Sequence, residues 1–344
     1  MVTQWTCAGL VNHLIPYHYR LKMKTIKLIS CLLLTNLAGT YAQSISQKLF
    51  LTSSVAPATG FSDTTGQYSS RDLAIGFSVP VFGKINTPSA DGAPSFTAIL
   101  LNGEFEASEL DLGPFDDRRL IFRPWVGASL IYYGGEKSVL ISSIQMRWME
   151  DEFSASQPKL RPTALLAWRL QATGSFSYLL GATYTYNFGT GLPFPVLGFQ
   201  KKFSERSNVN VVLPLSIVYQ GTFKSQLKYH LFLKPAGNIA RFGNNDVFSE
   251  VTDENLLLRE RAVKLGGRII CSLHVFKFIP EIGVLGARQL SFSDLDDNAF
   301  SREDIYSSGI DPAPYFKLSI QTNLSGKKKS TNPMDTMGSE WMGF

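Results

Sequence analysis

The sequence has few residues of the kinds that metal and thiol chemistry require. Its 344 residues include only 3 Cys and 4 His. Cys7 and Cys31 lie within the first 42 residues, which leaves Cys271 alone in the rest of the chain. A single cysteine cannot form an intramolecular disulfide, and no Cys/His cluster has the spacing of a zinc site. We therefore predict neither a bound metal nor a cofactor.

Charge is also sparse, and its excess is confined to one end. Charged residues make up 18% of the chain, and the formal net charge is +5. Residues 1–42 contain four of the 33 bases (Arg20, Lys22, Lys24 and Lys27) and no acid, so 29 bases face 28 acids in the remainder. A nearly neutral remainder lacks the basic excess that phosphate backbones attract. Nucleic acid is therefore not an expected partner.

The sequence has no apolar run long enough for a membrane-spanning helix, and a shorter run near the N-terminus predicts an export signal. Lys24 and Lys27 precede the apolar stretch from Leu28 to Gly39, which ends in Thr40-Tyr41-Ala42. A membrane-spanning helix needs about 20 apolar residues, whereas basic, apolar and small residues in this order are typical of a secretory signal peptide. We expect residues 1–42 to be a signal peptide that is cleaved between Ala42 and Gln43. Met23 is an alternative start, so Met1 to Lys22 is either a mis-assigned start or a long basic region.

The rest of the chain is rich in alternating apolar and polar residues. From Phe176 to Phe188 the even positions are apolar and the odd positions are mostly small and polar. Because successive side chains of a strand point to opposite faces, this stretch predicts one apolar and one polar face. Aromatic residues stand at both ends of the apolar face, as in strands of about 9–11 residues that span a membrane. We expect lipid to contact Tyr178, Leu180, Tyr184 and Tyr186, and the interior to receive Thr183 and Thr185.

The same alternation marks thirteen candidate strands. They lie near residues 47–57, 73–81, 96–107, 123–133, 144–148, 162–171, 176–188, 194–203, 209–219, 227–233, 263–273, 278–290 and 316–323. Segment 194–203 is the weakest, because Pro193 and Pro195 cannot donate to a ladder. Single-chain bacterial barrels have even strand numbers, so we expect about twelve strands, within a range of 10–14. The predicted fold class is an all-β transmembrane antiparallel barrel over residues 43–325, followed by a polar, disordered tail over 326–344.

The pattern of leader and strands with aromatic ends resembles Gram-negative outer-membrane β-barrel proteins. More narrowly, the run GTGLPFPVLGF at residues 189–199 is similar to a Pro-rich segment of one such family, and Val209 to Pro214 and Gly286-Ala287-Arg288 resemble further parts of it. That family is a single-barrel outer-membrane domain of unknown function, and the resemblance covers most of residues 45–324. It implies a barrel in the cell outer membrane and brings no catalytic residues with it.

Basic side chains outnumber acidic ones on the predicted inward faces. The inward acids are Glu281 and either Glu104 or Glu106, and Lys234 is a further inward base. The candidate lumen-facing residues are Arg147, Arg169, Lys228, His230, Lys264, Arg268, His274 and Lys317. Charged rings set channel selectivity, so an open lumen of this composition would favour anions. Alternatively, the bases pair with acids of an inserted loop or line a plugged interior.

The sequence leaves three functions open. The leading hypothesis is a non-enzymatic outer-membrane protein, either a narrow pore or a structural or binding barrel, with at most a small conductance. The alternative is a lipid-acting barrel enzyme, a lipase or a lipid-A modifying enzyme, that uses His230 or His274, although neither has a carboxylate nearby in sequence to orient its ring. The third is a soluble secreted β-protein, which the apolar rows oppose. Expected partners are outer-membrane lipid and the barrel-assembly machinery, and the sequence identifies no small-molecule or ion ligand.

Overall fold

A computed structural model of the protein describes residues 47–86, 95–113, 115, 118–134, 138–150, 160–186, 191–243, 255–294 and 304–323. The expected signal peptide (1–42) and the expected tail (326–344) lie outside these residues, so both remain predictions. Among the described residues, no helix is long and apolar enough to span a membrane.

The described residues form antiparallel β-strands throughout. In chain order the strands are β1 (Lys48–Gly60), β2 (Gln67–Asn86), β3 (Ser95–Asp111), β4 (Arg119–Phe122), β5 (Trp125–Gly134), β6 (Ser138–Arg147), β7 (Arg161–Thr173), β8 (Phe176–Thr185), β9 (Leu192–Ser204), β10 (Ser207–Leu213), β11 (Ser216–Lys224), β12 (Leu227–Gly243), β13 (Asn255–Leu273), β14 (Phe276–Asp294), β15 (Asp304–Ile310) and β16 (Ala313–Asn323). Except for β4 with β5 and β15 with β16, strands that follow one another along the chain pair with each other. The ring closes where β1 pairs with β16, with Leu51 opposite Ile320.

Two positions in the ring are each occupied by a broken strand. Both β4 and β5 pair with β3, and both β15 and β16 pair with β14. Pro124 lies in the first break and Pro312 in the second. Proline has no backbone N–H and cannot donate to the ladder, so the regular pairing is interrupted at Pro124 and at Pro312.

The closed antiparallel barrel therefore has fourteen strand positions. It confirms the predicted fold class, with a strand number at the upper limit of the expected range. The single candidate at 209–219 is two strands, β10 and β11, joined by a turn at Pro214-Leu215. A two-residue turn preserves the alternation, so the sequence pattern hides it. The segment with Pro193 and Pro195, expected to be the weakest, is strand β9 of the wall.

The two faces of the wall differ as the alternation predicts. Tyr178 and Leu180 each expose 51% of their surface on the outside, whereas Thr183 exposes 5% and Thr185 3%. The expectation for Tyr186 is wrong, since its ring packs against a buried apolar cluster. Strand β8 ends at Thr185, so the alternation no longer determines where the next side chain points.

The two ends of the barrel carry connections of different length. At the end that we call lower, β7–β8, β9–β10, β11–β12 and β13–β14 are joined by two-residue turns, and both β1 and β16 have their free ends there. Most connections at the upper end are longer, and the exception is Pro214-Leu215 between β10 and β11. Apart from β4 and β15, which are pieces of the two broken strands, β10 and β11 are the shortest strands, with 7 and 9 residues. Strands β12, β13 and β14 have 17 to 19 residues.

The outward row of β8 yields a stability prediction. Replacing Leu180 with Arg is expected to lower the free energy of unfolding by about 2–4 kcal/mol, because an arginine would be placed against hydrocarbon near the middle of a spanning strand. Thr183→Arg on the inner face of the same strand is the matched control and is expected to cost much less. Denaturant titration of both variants in lipid bilayers measures the difference, and equal costs would contradict the assigned faces.

Candidate functional site in the barrel interior

A belt of polar side chains runs around the inner wall. Its members are direct cross-strand neighbours from β11 to β3: Gln220, His230, Arg268, Glu281, Lys317, Ser54, Asp72 and Ser108. Ser54 and Ser108 both donate hydrogen bonds to the Asp72 carboxylate, at 2.6 and 2.5 Å. The sequence pattern had predicted that four of these residues face inward, namely His230, Arg268, Glu281 and Lys317. The register of the sheet makes them neighbours in one belt.

Lysines accumulate on the side of the belt formed by β12, β13 and β16. We define the basic cluster as Lys234, Lys264, Arg268 and Lys317, which surround Glu281. Lys234 and Lys264 lie directly opposite each other across β12 and β13, and Arg268 and Lys317 flank Glu281 from β13 and β16. Like charges in directly opposite positions destabilise a sheet. Lys234, Lys264 and Lys317 form no salt bridge within the described residues. The cluster has a net positive charge because its four basic side chains surround one acid, Glu281.

Tyr315 holds the centre of the basic cluster in place. Its hydroxyl donates a hydrogen bond to Glu281 Oε1 at 3.1 Å, and Lys264 Nζ lies 4.3 Å from the centroid of its ring. The ring lies against Gly266 and Gly283, where an added Cβ would come within 2.5 and 2.7 Å of tyrosine atoms. The two glycines are therefore required for the close approach of this aromatic ring to the wall.

His230 is fully enclosed in the belt, with 1% of its surface exposed. Arg268 Nε and Nη2 lie 3.1 and 3.0 Å from His230 Nδ1. A guanidinium group can only donate, so we assign Nδ1 as the acceptor and Nε2 as the protonated nitrogen of the neutral ring. Nε2 has no hydrogen-bond partner within the described residues. The imidazole therefore lacks both an orienting carboxylate and a free lone pair at Nε2.

The structure places His274 differently from the expectation. This residue lies in the two-residue turn between β13 and β14, where it is exposed and has a φ of 55°. The expectation that it faces the lumen from a strand is wrong, because the alternation was extended past the end of β13 at Leu273. His230 and His274 are not brought together.

The other expected inward bases lie on β6, β7 and β12. Arg147 donates to Gln145 Oε1 at 3.2 Å and lies 5.7 Å from the Trp125 ring. Arg169 is buried and donates to Gln200 Oε1 at 3.3 Å. Lys228 lies two residues before His230, on the same face of β12, and is half-buried. Of the acids, both Glu104 and Glu106 point inward, since Glu104 accepts from Trp125 Nε1 and Glu106 from Arg123 Nη2.

The sequence pattern missed several arginines that are largely enclosed by the barrel, among them Arg123 and Arg288. Arg123 lies in the break between β4 and β5, and its Nη2 donates to Asp72 at 3.1 Å and to Glu106 at 2.9 Å. Arg288 donates to Thr59 Oγ1 at 2.7 Å and lies 5.0 Å from the Tyr68 ring. A β-bulge at Gly286–Ala287, with Ala287 at a φ of 48°, reverses the alternation of β14 and turns Arg288 inward. The motif Gly286-Ala287-Arg288 was the feature of the sequence that could have indicated this bulge.

A cavity lies inside the wall at the upper ends of β6, β7 and β8. The space inside it that a water-sized molecule can reach is about 10 Å³, which is about enough for one water molecule. Hydroxyl and amide groups line it together with Arg147, Met149 and Gly237; these polar residues are Ser143, Gln145, Thr163, Thr183 and Thr185. Within the described residues, no group of three or more His, Cys, Asp or Glu could hold a metal ion.

Residues 163–323 match the model of a protein family described as a domain of unknown function, DUF6268. The match confirms the resemblance to a family of unknown function. It covers β7 to β16 almost completely, including the basic cluster and the bulge before Arg288. The comparison with curated proteins gave no match.

Solved structures that are similar to the chain are outer-membrane barrels. The KdgM porin is 10% identical with a TM-score of 0.32, and the alignment covers 80% of this chain and 98% of the porin. The transport unit of the autotransporter AIDA-I from Escherichia coli is 11% identical with a TM-score of 0.39 and coverages of 83% and 93%. OccK7 (OpdD) of Pseudomonas aeruginosa is 10% identical with a TM-score of 0.30 and coverages of 81% and 99%.

The Arg123 site yields a second stability prediction. Replacing Arg123 with Met leaves Asp72 and Glu106 without their buried cation, so the free energy of unfolding is expected to fall by about 3–5 kcal/mol. Arg118→Met is the matched control. Arg118 has a side chain that is 73% exposed and a distance of 3.7 Å to Glu109, and such surface pairs contribute roughly 0–1 kcal/mol. Denaturant titration of both variants provides the measurement, and a comparable loss in Arg118→Met would refute the assigned role.

Proposed function

We propose that this protein is a non-enzymatic barrel of the Gram-negative outer membrane whose interior binds or conducts small anions. The observation that carries the proposal is the basic cluster, where Lys234, Lys264 and Lys317 approach one another inside the wall around the single acid Glu281. An anion in the lumen would relieve the repulsion among these lysines. Such charged groups select the ions that enter a pore.

The two faces of the wall support the membrane location. Outward positions carry large apolar side chains along nearly every strand, among them Ile75, Ile144, Leu180, Leu265 and Ile282, whereas inward positions carry the polar belt. This is the arrangement of barrels that have lipid outside and a polar interior. The four two-residue turns, the start of β1 and the end of β16 lie at the lower end, and this arrangement supports a periplasmic lower side. Outer-membrane lipid and the barrel-assembly machinery are the partners that this location requires.

The interior supports a narrow passage rather than a wide one. Fourteen strands enclose more space than an eight-stranded barrel and less than porins of 16–18 strands. Apolar side chains occupy part of that space, with Leu100, Ile131 and Ile141 in one cluster and Leu179 and Val196 in another. The expected conductance is therefore small.

The enzyme and soluble alternatives receive less support. His230 carries its proton on Nε2, which has no hydrogen-bond partner within the described residues, and it has an arginine where a catalytic histidine needs a carboxylate. His274 is exposed in a turn. A soluble β-protein would leave the outward apolar rows in water, and exposed patches of that extent mark contact with a membrane or a partner.

The proposal predicts a small conductance that prefers anions over cations. In planar bilayers at low salt, changing Lys234, Lys264 and Lys317 together to Gln is expected to lower the chloride-to-potassium permeability ratio by at least about two-fold, since charged side chains set the selectivity of a pore. The measurement is the reversal potential in a salt gradient.

The control for this experiment is a second triple variant with the same loss of charge. Lys84, Lys201 and Lys224 are all exposed, and their change to Gln is expected to leave the permeability ratio within experimental error of the unmodified protein. A large cation-selective conductance in the unmodified protein, or an equal effect of both triple variants, would overturn the proposal.

A further inference from the structure

Exposed basic side chains gather at the lower end of the barrel, in or beside its turns and strand ends. They are Lys84, Lys201, Lys202, Arg206 and Lys224. Within the described residues the same end exposes one acid, Glu205, in the turn between β9 and β10. The exposed acids Asp63, Asp304 and Asp311 lie at the upper end instead. The described surface of the lower end therefore carries an excess of positive charge.

One of these bases, Lys201, lies among aromatic rings on the outer face of β9. Phe199 and Phe203 are two residues away on either side and so share its face of the strand. Lys201 Nζ is 5.6 Å from the centroid of the Phe203 ring, which is within the range of a cation–π contact. Phe176 lies directly opposite Lys201 on β8, and its ring stacks on that of Phe199 with centroids 5.8 Å apart. The ammonium group is therefore held at the edge of an outward aromatic patch.

A second base, Lys224, has similar surroundings on β11 and β12. It lies directly opposite Leu227, whose face of β12 also carries Tyr229 and the exposed Leu231. Directly opposed side chains of an antiparallel pair point to the same face, so Lys224 points outward as well. The ring of its neighbour Phe223 is 60% exposed, and its centroid is 4.6 Å from that of Tyr229. Lysine and exposed rings therefore occur together twice along this end of the wall.

The outward residues of β9 change in character towards the lower end. In order they are Leu197, Phe199, Lys201 and Phe203, an apolar residue followed by a lysine with a ring on each side. Aromatic side chains are enriched where the hydrocarbon of a bilayer meets its headgroups, and lysines at that level extend their ammonium groups towards the headgroups. Phe199 and Phe203 therefore mark the level of the interface, and Lys201 lies where it can reach a headgroup.

An anionic glycerophospholipid fits both the charge and the rings of this surface. Its phosphate accepts hydrogen bonds from ammonium groups, and its acyl chains contact exposed aromatic rings. Each basic side chain close to an anionic bilayer surface strengthens the association by about five-fold. A lipid without net charge would leave the excess of bases unbalanced. A soluble acidic partner would match the charge but not the outward rings of Phe203 and Phe223.

We propose that the lower rim, which we define as Phe176, Lys201, Phe203, Phe223 and Lys224, binds anionic glycerophospholipid in the leaflet around the lower end. The inference rests on the proposed function in one respect, the location of the barrel in a membrane. It does not depend on the ion selectivity of the lumen, because these side chains lie on the outer face. In bilayers of phosphatidylcholine, which has no net charge, the two lysines therefore have no expected effect on the permeability ratio.

Native mass spectrometry of the full-length protein tests the lipid preference. The protein in detergent is mixed with equal amounts of phosphatidylglycerol and phosphatidylcholine, and the lipids that it retains are counted. The unmodified protein is expected to retain mainly phosphatidylglycerol. Changing Lys201 and Lys224 together to Gln is expected to lower the ratio of retained phosphatidylglycerol to phosphatidylcholine at least about five-fold, since each base contributes about that factor. Changing the same two residues to Arg keeps the charge and is expected to keep the ratio.

The matched control removes two charges from the outer face above the lower rim. Arg71 and Arg261 are exposed on β2 and β13, and their joint change to Gln is expected to leave the lipid ratio unaltered. Equal retention of both lipids by the unmodified protein, or an equal loss in both Gln double variants, would overturn the lipid site. Flotation with vesicles of phosphatidylcholine tests the membrane location separately. Protein that inserts into these vesicles but shows no lipid preference refutes the lipid site alone, whereas protein that stays in the aqueous phase refutes the proposed function as well.

Discussion

The molecule depends on the pairing of its backbone N–H and C=O groups within one closed sheet. Hydrocarbon offers these groups no hydrogen-bonding partner, so a sheet that spans a membrane cannot keep an open edge. The pairing of β1 with β16 removes the edge that fourteen antiparallel strands would otherwise leave. Irregular backbone is placed where this requirement is relaxed or met by other groups. Pro214 is in a turn, Pro124 and Pro312 are in breaks, and the edge of β12 is released only above its pairing with β11.

Closure of the sheet also determines which side chains can lie inside the wall. Inward positions do not contact lipid, so they can carry charge if partners are available. On the β2 and β3 side, Asp72 and Glu106 receive Arg123. On the β12, β13 and β16 side, bases exceed acids, and the lysines are spaced around Glu281 with Tyr315 between them. The interior therefore combines a side where two acids share an arginine with a side where bases exceed acids.

At the upper end, part of the edge of β12 extends beyond its pairing with β11. Strands β12, β13 and β14 rise above the short strands β10 and β11, and an unpaired edge of that length would expose many backbone groups. At the top of β12, Arg241 N donates to Met149 O, and Arg241 forms a bridge with Glu150, in the chain that follows β6. Buried apolar side chains, among them Met149 and Ile239, pack at this end. The family match begins at residue 163, so this contact joins the matched region to the part of the chain that precedes it.

The sequence by itself determined the class of fold, the facing of most side chains and most of the inward bases, because the period of two is a local property of a strand. It predicted Lys264, Arg268 and Lys317 inside the wall for that reason. Only the tertiary structure decided the strand number, since a two-residue turn at Pro214 leaves the period unchanged. Only it placed Arg288 inward through a bulge and His274 in a turn, where the alternation is interrupted. The basic cluster and the contact of Met149 with Arg241 arise from register and closure between strands that are distant in sequence, and no periodicity within a single strand encodes them.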